Sequence, residues 1–130
     1  MDSLRGTVRV LVADDQDSYR AAAVAVVAET PGFEVCGQTS RACELPILVQ
    51  TLRPDLVILD VRMPGEDPLA VAALLRQRGP KVAILLTSAF SRDDVPQGCF
   101  DVGMGFLAKE ELAPDTLVAA VKGLPRGPVR

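Results

Sequence analysis

Three short, nearly unbroken apolar runs limit what this chain can fold into. They are Val8–Ala13 (VRVLVA), residues 56–59 (LVIL) followed by Asp60, and residues 82–86 (VAILL). Each is strand-length, rich in Val, Ile and Leu, and bounded by charged residues, Gly or Pro. Strands that alternate apolar and polar residues sit on sheets with one wet face. Continuous apolar strands belong to sheets covered on both faces. Residues 34–37 (EVCG) and 105–108 (GFLA) are weaker strand candidates of the same kind.

Helical patterns fill the intervals. Residues 17–29 (DSYRAAAVAVVAE) are Ala-rich and close before Pro31-Gly32. Residues 41–52 form a second candidate, with Pro46 inside the pattern, where it kinks the helix or delays its start. Residues 68–78 and 114–122 both open on a proline, which suits a first helical position, and both stop before glycine. Strands alternating with helices predict a parallel sheet with helices on both faces. The interval 91–104 (SRDDVPQGCFDVGM) resists this pattern, because Pro96, Gly98 and Gly103 all disfavour a helix interior. A short, irregular or mobile helix is expected there.

Bulk properties exclude several function classes. The chain has 130 residues, one domain's worth, and 48% of them are hydrophobic, enough for a core without disulfides or a structural metal. It has 14 basic against 17 acidic side chains, a net charge of −3, which argues against direct nucleic-acid contact. There is no histidine, so His-based acid–base chemistry and Cys/His zinc sites are ruled out. The three cysteines, Cys36, Cys43 and Cys99, are widely spaced and read as small, partly buried hydrophobes in a reducing compartment. No basic segment followed by a long apolar stretch opens the chain, and no run is long enough to span a membrane. A cytoplasmic location is expected.

Asp14 and Asp15 directly follow the first strong strand, and Asp60 directly follows the third. In open parallel sheets, ligands bind at these carboxyl ends. Three carboxylates converging there call for a cation, and hard oxygen donors suit Mg²⁺. Thr87 and Ser88 follow the fourth strand and Lys109 the fifth, so a hydroxyl and an ammonium are expected at the same rim. This set fits phosphoryl transfer to an ionised Asp60, with Mg²⁺ and Lys109 neutralising the transferred group and Thr87 donating a hydrogen bond to it.

In VLVADDQ (10–16), LVILDVRMPG (56–65), LLTSA (85–89) and GFLAKEEL (105–112), the chain resembles the response-regulator receiver family of two-component systems. Its wording is nearest to receivers of the NarL/LuxR type. The resemblance implies a five-stranded doubly wound flavodoxin-like α/β fold of strand order 2-1-3-4-5 over residues 1–124, with 125–130 a tail or the start of a linker. It implies Asp60 as phosphoacceptor from a histidine kinase, and Mg²⁺ held by Asp14, Asp15, Asp60 and the backbone carbonyl of Arg62. Thr87 and Lys109 would contact the phosphoryl group, and Phe106 would act with Thr87 as the switch. Phe106 reads equally well as ordinary core packing. Arg62 is expected to tune loss of the phosphoryl group. A protein–protein surface would change on phosphorylation, with dimerisation possible, and regulate transcription through an output domain absent from these residues.

Two departures from the family pattern stand out. Glu66-Asp67-Pro68 replaces the glycine usual shortly after MPG, so the loop after Asp60 is expected to differ. The irregular 91–104 segment falls where receivers meet partners. Three competing readings were weighed. An aspartyl phosphatase of the haloacid-dehalogenase type needs an acid two residues after the nucleophile, where Arg62 stands. An FMN binder would place a phosphate against DDQDS, whose carboxylates repel it. A receiver-shaped binding module that is never phosphorylated is the third.

Overall fold

Residues 7–78, 82–89 and 92–125 are described in a computed structural model of the chain. The first apolar run forms β1 (Val8–Ala13), which leads into α1 (Asp17–Glu29). Then follow β2 (Phe33–Thr39), α2 (Leu45–Leu52), β3 (Leu56–Asp60), α3 (Pro68–Arg78), β4 (Ala83–Ser88), α4 (Gln97–Asp101), β5 (Gly105–Ala108) and α5 (Pro114–Lys122). The five strands form one parallel sheet in the order β2-β1-β3-β4-β5, the doubly wound order expected.

Both sheet faces are apolar, which is why the strands read as continuous runs. Val10, Val12, Leu56, Ile58, Ala83 and Leu85 face α1 and α5, where they meet Ala23, Val27, Leu117 and Val121. Leu11, Ala13, Val57, Leu59, Ile84 and Leu86 lie on the other face with Leu45, Val49, Ala72 and Leu75 of α2 and α3. Alternate residues of one strand therefore enter two different cores.

Several boundaries differ from the sequence expectation. The second helix does not begin at Arg41. A 3₁₀ turn, Ala42–Glu44, comes first and α2 starts at Leu45, with Pro46 in its first turn. Proline's fixed φ and missing N–H suit that position, so it sets the start and does not kink the helix. β2 is longer than 34–37. β4 starts at Ala83 and continues through Thr87 and Ser88, which were expected beyond its end. Pairing explains the extension: Thr87 aligns with Asp60 and Ser88 with Ala108.

The irregular segment holds two short pieces, a 3₁₀ turn Arg92–Asp94 and the five-residue α4. Pro96 is the N-cap of α4 in extended conformation. Gly103 ends α4 at φ +88°, with Gly103 N–H donating to the Phe100 carbonyl and Met104 N–H to the Cys99 carbonyl. These two bonds make a Schellman motif, which needs a residue in the left-handed region. Within the expected tail, Pro125 packs over Gly103: a Cβ there would fall 2.5 Å from the proline ring. Residues 126–130 lie outside the described residues.

Candidate functional site

Register and strand alternation assemble the site. Leu56, Ile58 and Asp60 share the β3 face that looks toward α1 and α5, and Thr87, the partner of Asp60 on β4, shares that side with Leu85. Leu107 pairs with Thr87, and Lys109 follows two residues later on the same side. Beside them, Asp14 extends the ladder past β1 by donating its N–H to the Thr39 carbonyl at 3.1 Å. Four chemically active side chains thus meet because each is an even number of residues from a buried apolar neighbour on one sheet face.

Oxygens of Asp14, Asp15 and Asp60 lie within 4.8 Å of one another. Asp14 and Asp60 are buried, at 5% and 2% exposure. Lys109 Nζ bridges the latter two, 2.7 Å from Asp14 Oδ2 and 3.2 Å from Asp60 Oδ2. Backbone N–H groups fix the carboxylates further: Gln16 donates to Asp14 Oδ1 at 2.9 Å and Arg62 to Asp60 Oδ1 at 3.1 Å. Asp15 Oδ1 is buried and has no hydrogen-bond partner. A buried carboxylate oxygen without a donor is costly unless a cation satisfies it. One ammonium among three carboxylates leaves two negative charges, the charge of a divalent ion. The donors are all hard oxygens, so the residues present fit Mg²⁺.

Burial pushes the Asp60 carboxyl above its ordinary value. The Arg62 N–H opposes that rise, the Asp14 charge adds to it, and Lys109 opposes it by charge and by hydrogen bond. The balance describes a crowded anionic site that gains from a cation.

Thr87 stands at 3% exposure beside Asp60, as its strand register requires. Phe106 is on the opposite side of β5, half-buried against the α2–α3 core and paired in register with Leu86. The Arg62 side chain is exposed beside the site. The loop after Asp60 turns through Pro64 and Gly65, the latter at φ +81°, and Pro68 opens α3. Asp67 accepts the Ala70 N–H at 3.1 Å as a cap, so the departure from the usual glycine yields an ordinary helix start.

Sequence reasoning missed two residues. Glu66 receives the N–H groups of Ala42 at 3.0 Å and Cys43 at 2.8 Å, tying the loop after Asp60 to the 3₁₀ turn that precedes α2. Burial would raise its carboxyl, but those two N–H groups, the Cys43 side chain and Arg41 together hold it below its ordinary value. Tyr19 lays its ring over Lys109, with Nζ 4.2 Å from the ring centroid. It is the sole tyrosine, four residues after Asp15, but nothing local in the chain marks Lys109 as its partner.

Comparison with known proteins agrees with this geometry. Residues 10–122 match the family model of the response regulator receiver domain. The chain belongs to that family. A protein-glutamate methylesterase/protein-glutamine glutaminase of Anaeromyxobacter dehalogenans is 33% identical over 93% of this chain and 32% of its own length. The positive alginate biosynthesis regulatory protein of Pseudomonas aeruginosa is 33% identical over 88% of this chain and 46% of its own. The chain therefore spans 32% to 46% of the length of these relatives. Among solved structures, the receiver domain of the response regulator NarL from Mycobacterium tuberculosis superimposes with a TM-score of 0.75 at 30% identity, covering 89% of this chain and 98% of that one. Receiver domains bind Mg²⁺ at an acidic pocket, and Asp14, Asp15 and Asp60 form an acidic cluster here. Among the described residues, no helix is long and apolar enough to cross a membrane.

Proposed function

We propose that this chain is a phosphorylation-controlled signalling domain in which Asp60 accepts a phosphoryl group from a histidine kinase. The observation that carries the reading is Lys109 bridging buried Asp14 and Asp60 beside the partnerless Asp15 oxygen. Asp14, Asp15, Asp60 and the Arg62 carbonyl would hold Mg²⁺, whose chemistry when bound is to neutralise the phosphoryl oxygens during transfer. An ionised Asp60 oxygen forms the new bond to phosphorus. The bond from phosphorus to the donor's nitrogen breaks, and the donor keeps that electron pair. Lys109 moves its hydrogen bonds from the carboxylates to the arriving phosphoryl oxygens. Thr87, next to Asp60 in register, donates its hydroxyl to another of them.

Phosphorylation would add charge and acceptors at the strand ends and draw Thr87 and its loop inward. Phe106, half-buried one strand away, is the side chain that would repack as a switch. Arg62, exposed beside Asp60, would tune hydrolysis of the acyl phosphate. The domain would accept and slowly lose a phosphoryl group with no dedicated turnover of a substrate. It would work in the cytoplasm, changing a protein–protein surface, with dimerisation as one outcome. Transcriptional output would reside in a segment outside residues 1–124, as the regulatory names of its relatives suggest.

Mass spectrometry after incubation with acetyl phosphate and Mg²⁺ tests the chemistry. Wild type is expected to gain one phosphoryl group, and Asp60→Asn none. Equal labelling of both, or labelling of neither, contradicts the reading.

A further inference from the structure

The Lys109 ammonium is surrounded on three sides. Asp14 and Asp60 take two of its directions, and the face of Tyr19 takes another. The Lys109 side chain is only 6% exposed, whereas Tyr19 is 41% exposed. The ring is therefore a lid, with its outer side in solvent and its inner side on the ammonium. A cation over an aromatic face is held by the ring quadrupole, and more strongly where water is excluded.

The local structure of α1 sets the ring there. Tyr19, Ala22, Ala23 and Val26 recur at helical spacing and form one face. That face does not seal onto the sheet. Between it and Val12 and Ile58 lies a cavity of about 50 Å³, with Thr87 and Lys109 in its wall. Ala22, Ala23 and Leu112 also line this cavity. On the site side the ring centroid lies 4.2 Å from the ammonium.

We propose that Tyr19 is a positioning residue for Lys109: its ring holds the ammonium over Asp60 and keeps solvent off it. The inference rests on the phosphoacceptor reading. A divalent ion held by Asp14, Asp15 and Asp60 would weaken the pull of both Asp14 and Asp60 on Lys109. The ring face does not change with metal loading, so it keeps Lys109 beside Asp60, where phosphoryl oxygens arrive. The role needs the aromatic face and not the hydroxyl. It therefore separates a ring-bearing replacement from ring-less ones of similar size.

The test compares wild type, Tyr19→Phe, Tyr19→Leu and Tyr19→Met in two measurements, with far-UV circular dichroism confirming that each is folded. The first is the rate of labelling by acetyl phosphate at saturating Mg²⁺. Tyr19→Phe should stay within about twofold of wild type, and Tyr19→Leu and Tyr19→Met should each be slower by about 3- to 10-fold. The second is the Lys109 ammonium signal in ¹⁵N-resolved NMR without metal or phosphodonor. Ring current should shift it upfield in wild type and Tyr19→Phe, and the shift should vanish in both ring-less variants. Ring-less variants as fast as wild type overturn the proposal, and so does an ammonium signal indifferent to the ring. If wild type takes no label at all, the phosphoacceptor reading fails, and the ammonium signal alone decides whether Tyr19 holds Lys109.

Discussion

Asp60 has a chemical cost attached to its role. Its carboxyl is raised chiefly by burial, so the folded protein binds that proton more tightly than the unfolded chain does. The stability this contributes is complete below the ordinary value of 3.8 and is lost as pH rises through the higher folded value. Above that folded value the metal-free protein carries a buried charge that works against folding. In EDTA, Asp60→Asn is expected to raise the thermal midpoint near pH 7, with the gain shrinking as pH falls toward that ordinary value. Thermal unfolding across a pH series checks this. A variant less stable than wild type at pH 7 would mean that the Lys109 pairing outweighs burial.

Among the elements, α4 is where local sequence chemistry and fold interact most visibly. Pro96, Gly98 and Gly103 looked like obstacles to a helix, and they shorten it to five residues. Two of the three nevertheless have defined positions, Pro96 as N-cap and Gly103 as the left-handed terminator. Met104, the residue after Gly103, is buried in the core, so the Schellman turn also delivers an apolar anchor. Gly103→Ala is expected to destabilise the domain by about 1 to 2 kcal/mol for the left-handed backbone, and by more if Pro125 cannot move aside. The midpoint of urea unfolding measures it, and an unchanged midpoint would show that the turn relaxes freely.

What could be read from the chain follows the same division. β1, β5, α1, α3 and α5 were legible to the residue, and β3 to within one, since Asp60 was read as following the strand it in fact ends; apolar runs and flanking Pro and Gly mark these limits. The positions of Asp14, Asp60, Thr87 and Lys109 at one rim were legible too, since alternation along a strand fixes the face. The true end of β4 was not, because it depends on pairing with β3 and β5. The Glu66 clasp on the 3₁₀ turn before α2 and the Tyr19 lid join segments distant in sequence, and no local pattern encodes such contacts.

At the scale of the whole molecule, the 2-1-3-4-5 order puts β1 and β3 side by side, so their terminal carboxylates become neighbours. Two apolar layers hold that sheet rigid. Glu66, in the loop leaving Asp60, ties that loop to the 3₁₀ turn that precedes α2. The arrangement gathers three carboxylates at one rim, two of them paired with one ammonium, where they could hold a divalent ion. Magnesium titration followed by backbone amide NMR measures this directly. Wild type should show one saturable site centred on residues 14, 15 and 60, weakened at least about tenfold by Asp15→Asn. The account is contradicted if wild type shows no saturable binding, or if Asp15→Asn binds magnesium as tightly as wild type.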